Sequence, residues 1–290
     1  MKSRITGHTR LICLLGDPVS HSISPSMHNL SFKTLGLDYV YLAFPTKIEE
    51  FVSTAETLKQ IGARGFNCTM PCKRIAAEYC DELSEAARLM HSVNTVVIEG
   101  GKLIGHNTDG IGYLKSVEDA GYNVIGKEIT LLGSGGASSS ILAQAALDGV
   151  KKVHVFARKG ASWDMMEQEI HLINAATNCQ VSLYELSDKT MLRQALSNSA
   201  LLVNGSSVGM APNTDCCLIP DSSYFHPELV VSDVIYHPMK TKLLTMAESA
   251  GLPVFNGMYM LLYQGAAAFK LWTGHEMPVA LIKETFFQLN

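Results

Sequence analysis

The sequence lacks long apolar runs and any excess of basic residues. Its 290 residues carry a net charge of −4, with 47% hydrophobic and 17% charged residues. The most apolar segment, Met258–Trp272, contains Gln264 and Lys270, so it does not have the composition of a membrane-spanning helix. No basic stripe that could follow a phosphate backbone is present. We therefore expect a compact globular protein that binds neither a membrane nor a nucleic acid.

The sequence also lacks the spacings that cysteine and histidine sites require. Its seven cysteines include no CxxC pair, and its histidines include no HExxH motif. We therefore expect reduced thiols, no disulfide framework and no bound metal. The N-terminal residues Met1–Arg4 are not followed by an apolar segment, so we expect no secretory leader and a cytoplasmic location.

What the sequence does contain is a regular alternation of short apolar runs with segments of helical spacing. This alternation predicts an α/β fold with a parallel, doubly wound sheet. The predicted strands are Leu11–Leu15, Tyr39–Phe44, Asn94–Ile98, Ile129–Leu132, Val153–Phe156, Leu201–Val203 and Val230–Val234. The predicted helices are Pro25–Leu35, Glu49–Ile61, Ile75–Cys80, Ile111–Ala120, Ser138–Asp148, Met165–Ala175, Met191–Ser197, Met258–Leu271 and Pro278–Phe287.

Two domains are expected. A boundary near Asp109–Gly126 is indicated because a second alternating series begins at Lys127. The tail from about Asn256 has helical spacing but no strand of its own, so it must pack on an earlier domain. We predict a first domain of residues 1–110, completed by residues 256–290, and a second domain of residues 111–255.

A glycine-rich turn follows the predicted strand Ile129–Leu132 and opens a helix. Gly133 permits a tight turn, and Gly135 lets the backbone approach a pyrophosphate closely. Ser138 stands where a third Gly or Ala is usual. Such a turn can merely join a strand to a helix, but its place in a βαβ unit favours a Rossmann-type dinucleotide-binding domain. The residues predicted to contact the dinucleotide here are Gly133, Ser134, Gly135, Gly136 and Ala137.

The next predicted strand ends at Ala157, in the region where the adenosine ribose would be recognised. No Asp or Glu lies within Val155–Gly160, whereas Arg158 and Lys159 do. A basic strand end accommodates the 2′-phosphate of NADP, so we expect NADP, with NAD as the alternative. A solvated basic turn, or Arg158 stacked on adenine, would fit the same residues.

Two turns each present one ionisable side chain among small and polar residues. The segment Gly65–Lys73 presents Lys73, and the segment Gly105–Gly110 presents Asp109. Ordinary surface charges usually lie on polar helix faces beside other charges. A lysine and an aspartate delivered by turns could instead form a proton-transfer pair.

Further polar candidates lie at predicted strand and helix ends. Ser22 and Ser24 precede a predicted helix, where Ser24 would serve as the N-cap or the pair would hold a carboxylate. Asn94 at a strand start is either a turn former or a ligand of hydroxyl groups. Gln264 lies in an otherwise apolar helix and needs a partner, either structural or a ligand.

Together these segments resemble the shikimate/quinate dehydrogenase family over nearly the whole chain. The matching motifs are Ser22-x-Ser24-Pro25, Asn67-x-Thr69-x-Pro71-x-Lys73, Asn94-Thr95-Val96, Asn107-Thr108-Asp109-Gly110, Gly133-x-Gly135-Gly136-Ala137, Asn204–Met210, Asp233-x-x-Tyr236 and Gln264-Gly265-Ala266. The resemblance implies reversible NAD(P)-dependent oxidation of a ring hydroxyl in a cyclic polyol carboxylate. For shikimate the product would be 3-dehydroshikimate.

The resemblance also implies roles for individual residues. Ser22, Ser24 and Tyr236 would hold the carboxylate, and Thr69, Asn94, Gln264 and the Lys73/Asp109 pair would hold the ring hydroxyls. Gly257 and Met260 would lie beside the nicotinamide. Ala157, Arg158 and Lys159 replace the Asn-Arg-Thr usual in shikimate-specific members, whereas Tyr39 and Leu271–Gly274 look like the quinate/shikimate branch, which adds Tyr39 to the substrate-binding set.

The function expected from this resemblance is shikimate dehydrogenase, in aromatic-precursor or quinate metabolism, acting as a monomer or homodimer on a small-molecule substrate. One alternative is a quinate or related polyol dehydrogenase that prefers NAD. A second alternative is a non-catalytic dinucleotide sensor on the same fold, although binding alone would not require the Lys73/Asp109 pair.

Overall fold

The computed structural model of the chain describes residues 5–287. Residues 1–4, considered above for a secretory leader, and residues 288–290 lie outside the described residues. The chain divides into two compact units, one made of Met1–Thr108 and Leu262–Asn290 and the other of Asp109–Leu261. These divisions fall a few residues from the expected boundaries.

The first unit contains a six-stranded sheet and helices at both ends of its sequence. Its strands are β1 (Arg10–Gly16), β2 (Tyr39–Pro45), β3 (Gly65–Cys68), β4 (Glu82–Leu83), β5 (Thr95–Glu99) and β6 (Lys102–His106). Its helices are α1 (Ser24–Leu35), α2 (Ile48–Gln60), α3 (Lys73–Tyr79) and α4 (Glu85–Met90), together with α10 (Met258–Thr273), which begins in the other unit, and α11 (Val279–Phe286). The strand order is β2-β1-β3-β5-β6-β4.

This first sheet is mixed, which corrects the expectation of a purely parallel sheet. Strand β5 runs antiparallel to both β3 and β6. Glu99 pairs with Lys102, so only Gly100 and Gly101 connect β5 to β6. Their φ angles are 57° and 77°, and positive φ at both positions of a two-residue turn matches the twist of an antiparallel hairpin.

Helix α10 lies against one face of this sheet. The indole Nε1 of Trp272 in α10 donates to the carbonyl oxygen of Val96 at 2.9 Å. The Arg64 Nε donates to the carbonyl oxygen of Trp272 at 2.7 Å. A Cβ atom on Gly65 would lie 2.6 Å from the same indole nitrogen, so β3 carries a glycine where α10 crosses it.

The other face of the first sheet is covered by α2, α3 and α4. Their buried apolar side chains meet those of β1, β3 and β5 in one core cluster. The strand residues of this cluster include Cys13, Leu15, Phe66, Cys68 and Val96. Successive residues of a strand point to opposite faces, so Asn67 of β3 lies on the face opposite to Phe66 and Cys68.

The second unit contains a six-stranded sheet in which all strands are parallel. Its strands are β7 (Glu128–Leu132), β8 (Lys152–Ala157), β9 (Gln180–Glu185), β10 (Leu201–Asn204), β11 (Val230–Asp233) and β12 (Val254–Phe255). Its helices are α5 (Asp109–Asp119), α6 (Gly136–Leu147), α7 (Ala161–Ala176), α8 (Lys189–Leu196) and α9 (Lys242–Ser249), with a 3₁₀ turn at Ser222–Tyr224.

The strand order of this second sheet is β12-β11-β10-β7-β8-β9. In chain order within the unit this is the 3-2-1-4-5-6 arrangement, in which a dinucleotide binds at the carboxyl ends of the strands. The α/β fold with a Rossmann-type second domain is therefore confirmed. Within residues 5–287, no helix is long and apolar enough to cross a membrane.

Candidate active site

In the first unit, the loop after β1 lies against the turn after β3. Gly16 ends β1, and a Cβ atom on it would lie 2.7 Å from the carbonyl oxygen of Met70, so a side chain there would force the two segments apart. The backbone N–H of Asp17 donates to the same oxygen at 2.9 Å. The Ser22–Ser24 segment and the Thr69–Lys73 turn are thus held at the same carboxyl edge of the sheet.

Neither serine of this loop is the N-cap of α1. Ser24 is the first residue of α1, whereas the N-cap is Ile23, which makes no side-chain capping bond. The capping alternative for Ser24 is therefore wrong. The Ser22 hydroxyl instead accepts from the Ser24 N–H at 3.3 Å. Burial raises the pKa of the nearby Tyr41 phenol, and a hydrogen bond from the Ser24 hydroxyl opposes that rise, which places Ser24 beside Tyr41.

The turn that carries Lys73 is fixed by backbone hydrogen bonds on both sides. The N–H of Thr69 donates to the carbonyl oxygen of Leu15 at 2.9 Å, and the N–H of Cys72 donates to that of Thr69 at 2.8 Å. The carbonyl oxygen of Lys73, the first residue of α3, accepts from the N–H of Val93 at 2.9 Å. Lys73 is half-buried. Its position is therefore set by β1 on one side and by the segment before β5 on the other.

The cysteines of this turn are packing residues. Cys68 and Cys72 are both buried, and the Cys72 thiol donates to the carbonyl oxygen of Thr46 at 3.4 Å. Burial raises the pKa of both thiols, that of Cys72 to about 11. A thiol kept protonated is a poor nucleophile, so neither side chain is suited to covalent catalysis.

A buried, uncharged hydrogen-bond network, called here the amide network, consists of Tyr41, Asn67, Asn94, Thr95 and Thr108. The Tyr41 hydroxyl donates to Asn67 Oδ1 at 2.7 Å. The Asn67 Nδ2 donates to the Asn94 carbonyl oxygen and to Thr95 Oγ1, both at 2.9 Å. The Asn94 side chain in turn donates to Thr108 Oγ1 at 3.0 Å and accepts from the Thr108 N–H at 2.8 Å. All five residues are at most 7% exposed.

The amide network places two of the predicted site residues. Asn94 directly precedes β5, and its side chain binds Thr108 across the sheet edge rather than forming a local turn. Asp109 follows Thr108 in the chain and is the first residue of α5 in the second unit. In that unit a Cβ atom on Gly110 would collide with the carbonyl oxygen of Ser140, so α5 begins in close contact with α6.

Gln264 is half-buried on α10, within the first unit. The neighbouring Gly265 lies against α1, since a Cβ atom on it would collide with the end of the Met27 side chain. Glycine at this position therefore brings the helix segment that carries Gln264 against the helix that begins with Ser24.

Tyr39, expected to contact the substrate, lies apart from these candidates within the first unit. It opens β2 and pairs with Arg10, the first residue of β1, so it lies at the amino end of these parallel strands. Its ring stacks on Phe32 with 5.3 Å between centroids. The other candidates of this unit lie at the carboxyl end. Tyr41, two residues further along the same strand face, is the tyrosine that reaches them.

The glycine-rich loop of the second unit makes a tight turn between β7 and α6. Gly133 has a φ angle of 109°, and a Cβ atom on it would lie 3.0 Å from the Cβ atom of Ser206. The N-cap of α6 is Gly135, which provides no side-chain capping bond, so the first turn of the helix offers backbone N–H groups to an anion. The Ser138 hydroxyl, at the position of the usual third glycine, donates to the carbonyl oxygen of Gly205 at 3.2 Å.

An acidic residue that the sequence analysis did not anticipate lies on the strand next to the end of β8, where a ribose would be recognised. Ala157 is buried at the end of β8, and Arg158 and Lys159 are exposed. Ala157 pairs with Glu185 of the neighbouring strand β9, and the Glu185 carboxylate lies 3.3 Å from Lys159 Nζ. The Lys159 ammonium also lies 5.1 Å from the ring centroid of Trp163. Lys159 is therefore partly neutralised, and Arg158 is the more accessible cation.

The segment that carries Tyr236 is held by a buried carboxylate. Asp233 ends β11 and accepts from Asn204 Nδ2 at 3.1 Å, from Thr241 Oγ1 at 2.8 Å and from the Ile235 N–H at 3.0 Å. Burial raises its pKa to about 6 against the effect of these hydrogen bonds. Tyr236 itself is exposed. Asp233, Asn204, Thr241 and Ile235 form what is called here the carboxylate network, which fixes the backbone that leads to Tyr236.

The start of α10 approaches the same segment within the second unit. A Cβ atom on Gly257 would collide with the carbonyl oxygen of Val234, and Met260 is half-buried one turn further on. Within residues 5–287, no group of three or more His, Cys, Asp or Glu side chains is placed to hold a metal ion.

Comparison with known proteins identifies the family. Residues 14–96 match the model of the shikimate dehydrogenase substrate binding domain, and residues 257–285 match that of the shikimate 5′-dehydrogenase C-terminal domain. A shikimate dehydrogenase (NADP(+)) of Listeria innocua is 46% identical to the chain over 284 residues, which cover 98% of each protein. The chain belongs to the shikimate dehydrogenase family.

Solved structures of this family share the fold over the full length. The shikimate 5-dehydrogenase from Listeria monocytogenes, in complex with shikimate and NAD, has a TM-score of 0.95 and 45% identity, with 98% of each chain covered. The quinate dehydrogenase from Corynebacterium glutamicum, in complex with NAD, has a TM-score of 0.83 and 26% identity, covering 97% of this chain and 99% of that chain. The family resemblance carried by the motifs is thus confirmed.

Proposed function

We propose that this chain is a shikimate dehydrogenase, which reversibly oxidises one ring hydroxyl of shikimate to give 3-dehydroshikimate. The observation that carries the proposal is the grouping of Ser24, Thr69, Lys73 and the amide network at one edge of the first sheet. A cyclic hydroxy acid requires an anion site, several hydrogen-bonding groups for its hydroxyls and one proton-transfer group. This set of side chains supplies all three.

Recognition of the substrate is assigned to the side chains that the family motifs indicate. Ser22, Ser24 and Tyr236 hold the carboxylate through their hydroxyls. Thr69, Asn94 and Gln264 hold the ring hydroxyls. Support for this division comes from Ser24, whose hydroxyl does not cap its helix, and from Asn94, whose side chain is oriented by Thr108.

Proton transfer is assigned to Lys73, with Asp109 orienting and electrostatically supporting it. When bound, the dinucleotide supplies the hydride acceptor. The Lys73 amine takes the proton from the hydroxyl that is oxidised and returns it in the reverse direction. The backbone of Lys73 is bonded to Val93, and Asp109 follows Thr108 of the amide network in the chain.

The dinucleotide is assigned to the second unit. The backbone of Gly133, Ser134, Gly135, Gly136 and Ala137 would hold its pyrophosphate, because α6 begins there without a side-chain cap. Ala157, Arg158 and Lys159 would hold its adenosine end. Gly257 and Met260, at the start of α10, would contact its nicotinamide.

NADP is the preferred dinucleotide in this proposal, and NAD is accepted. Arg158 is exposed at the strand end and suits a 2′-phosphate. The Glu185 carboxylate beside Lys159 weakens the preference, because it neutralises a second cation and repels the phosphate. The relatives are consistent with both cofactors, since one is named for NADP(+) and another was solved with NAD.

A quinate dehydrogenase that prefers NAD is the second candidate function. The observation in its favour is Glu185, because an acidic group near the ribose is typical of NAD sites. The likeness to the quinate dehydrogenase of Corynebacterium glutamicum also supports it.

The experiment that separates these functions measures the absorbance of the reduced nicotinamide with shikimate or quinate, each with NADP⁺ or NAD⁺. We expect the highest kcat/KM with shikimate and NADP⁺, and a slower reaction with shikimate and NAD⁺. A higher kcat/KM with quinate and NAD⁺ would establish the second candidate. No turnover in any of the four combinations would overturn both and favour a dinucleotide-binding sensor.

We also propose that the enzyme works in the cytoplasm as a monomer or homodimer. The cysteines of the described residues are all free, which suits a reducing compartment. Light scattering coupled to size-exclusion chromatography measures the oligomeric state directly, and a larger assembly would contradict this part of the proposal.

A further inference from the structure

We propose that Tyr41 is a positioning residue of the active site, whose buried hydroxyl orients the Asn67 amide and, through it, Asn94 and Thr108. The inference rests on the proposed function, in which Asn94 holds a ring hydroxyl and Asp109 follows Thr108. Tyr41 does not touch the reacting atoms in this proposal; it acts through the amide network.

The hydrogen-bond directions in the amide network are determined by chemistry. The Asn67 Nδ2 has two N–H groups, which donate to the Asn94 carbonyl oxygen and to Thr95 Oγ1. These two donors identify the nitrogen end of the Asn67 amide, so its oxygen, Oδ1, faces Tyr41 and can only accept. The Tyr41 hydroxyl must therefore donate to it, at 2.7 Å. No other arrangement satisfies both donors and the carbonyl acceptor.

The Tyr41 ring is held in one position by its neighbours. It is fully buried, stacks on His28 with 4.6 Å between centroids and lies 6.1 Å from the Trp272 ring. Among the described residues, neither ring nitrogen of His28 has a hydrogen-bond partner, and burial lowers its pKa to about 3. His28 therefore packs as a neutral aromatic ring, while Trp272 is anchored to Val96.

The consequence is a defined chain of contacts from the aromatic stack to the substrate residues. Asn67 joins β3 to β5, since it pairs with Thr95 in the antiparallel register. Its amide holds the Asn94 carbonyl oxygen, and the Asn94 side chain holds Thr108. Loss of the Tyr41 donor would leave a buried acceptor on Asn67 unsatisfied. Reorientation of the Asn67 amide would then displace Asn94.

The test is Tyr41→Phe, which retains the ring and removes the donor. We expect kcat to fall about tenfold with a smaller change in KM for shikimate, because a displacement on the order of 1 Å can cost about 100-fold in rate. Tyr113→Phe is the matched control. Tyr113 is also buried and its hydroxyl is also hydrogen-bonded, to Ser232 in the second unit. We expect this control to lower the melting temperature without lowering kcat.

A double-mutant cycle shows whether Tyr41 acts through Asn67. Thr95→Val removes the acceptor of one Asn67 N–H, so it disturbs the same amide. We expect the kcat of the double variant Tyr41→Phe/Thr95→Val to be only slightly below that of the less active single variant, because the effects of coupled sites are not additive. Independent, multiplicative losses would overturn the route through Asn67. A lower melting temperature with unchanged kcat and KM in Tyr41→Phe would reduce Tyr41 to a structural residue.

A readout without turnover separates failure of this inference from failure of the proposed function. The side-chain amide NMR signals of Asn67 and Asn94 are expected to shift in Tyr41→Phe and to stay in place in Tyr113→Phe. Unshifted signals would overturn the positioning role whatever the substrate. Shifted signals together with a wild-type enzyme that does not oxidise shikimate would contradict the proposed function alone.

Discussion

The two units both hold functional segments with buried polar networks, but the networks differ in charge. The amide network of the first unit contains hydroxyls and amides and no ionisable side chain except a phenol whose pKa burial raises. The carboxylate network of the second unit is centred on Asp233, whose pKa is about 6. The geometry of the amide network should thus be insensitive to pH near neutrality, whereas the segment that carries Tyr236 is held by a group that titrates.

The two networks should also differ in how substitutions affect the enzyme's kinetics. The neutral network contains Asn94, to which a contact with the substrate is assigned, so substitutions there should change the rate. The dinucleotide side consists largely of glycines and exposed cations, so substitutions there should change affinity and pH dependence more than the chemical step.

The largest effect is expected for Lys73→Ala. Loss of a proton-transfer group lowers kcat by about 10²- to 10⁴-fold, while the calorimetric affinity for shikimate should change comparatively little. Lys33→Ala, at an exposed lysine of α1, is the control and should behave as wild type. A wild-type kcat in Lys73→Ala would contradict the assignment of proton transfer to Lys73.

The carboxylate network predicts a pH-dependent stability. The pKa of Asp233 rises from 3.8 to about 6 on folding, so the folded state binds the proton more tightly. The resulting stabilisation is complete below the unfolded pKa and is lost as the pH rises through about 6. Over this window the free energy of unfolding should fall by about 3 kcal/mol relative to Asp233→Asn, measured by urea denaturation. If the free energies of unfolding of wild type and Asp233→Asn changed equally with pH, Asp233 would not titrate in this range, and the contrast between the two networks would be wrong.

Ser24→Ala should have an intermediate effect confined to binding. The carboxylate of shikimate is bound equally well in the ground state and the transition state. Loss of the Ser24 hydroxyl should therefore raise KM for shikimate about tenfold and leave kcat nearly unchanged. Steady-state kinetics measures both constants. An unchanged KM with a lowered melting temperature would assign Ser24 to structure alone.

Glu185→Gln should have the smallest effect. Release of Lys159 should lower KM for NADP⁺ about two- to threefold, because exposed ion pairs contribute about 1 kcal/mol or less, and KM for NAD⁺ should not fall. Glu118→Gln, which breaks the exposed pair with Lys115 in the same unit, is the control. Equal changes for both dinucleotides would show that Glu185 does not influence cofactor choice.

The sequence was most informative where function depends on local order along the chain. The Thr69–Lys73 turn and the Gly133 loop are contiguous motifs, so their residues could be selected without a structure. Strands β3 and β6 escaped prediction because they contain Gly65 and Gly105, which reduce strand propensity. Glycine is needed there, since a Cβ atom on Gly105 would lie 2.7 Å from the Val93 side chain.

Two functional side chains could not be found from local patterns. Nothing in Tyr39-Val40-Tyr41 distinguishes the two tyrosines, and selecting Tyr41 requires knowing that its strand face meets Asn67. Glu185 lies far from Lys159 in sequence and approaches it only through the parallel register of β8 and β9. The alternation of β9 with its flanking helices was the one signal that could have revealed this neighbour.

The measurement that tests the central claim most directly is NMR identification of the product formed from shikimate and NADP⁺ by the wild-type chain. We predict 3-dehydroshikimate as the single product, in one-to-one ratio with reduced dinucleotide. Unchanged shikimate, or oxidation at a different ring position, would contradict the assignment of this unit as a site for shikimate oxidation.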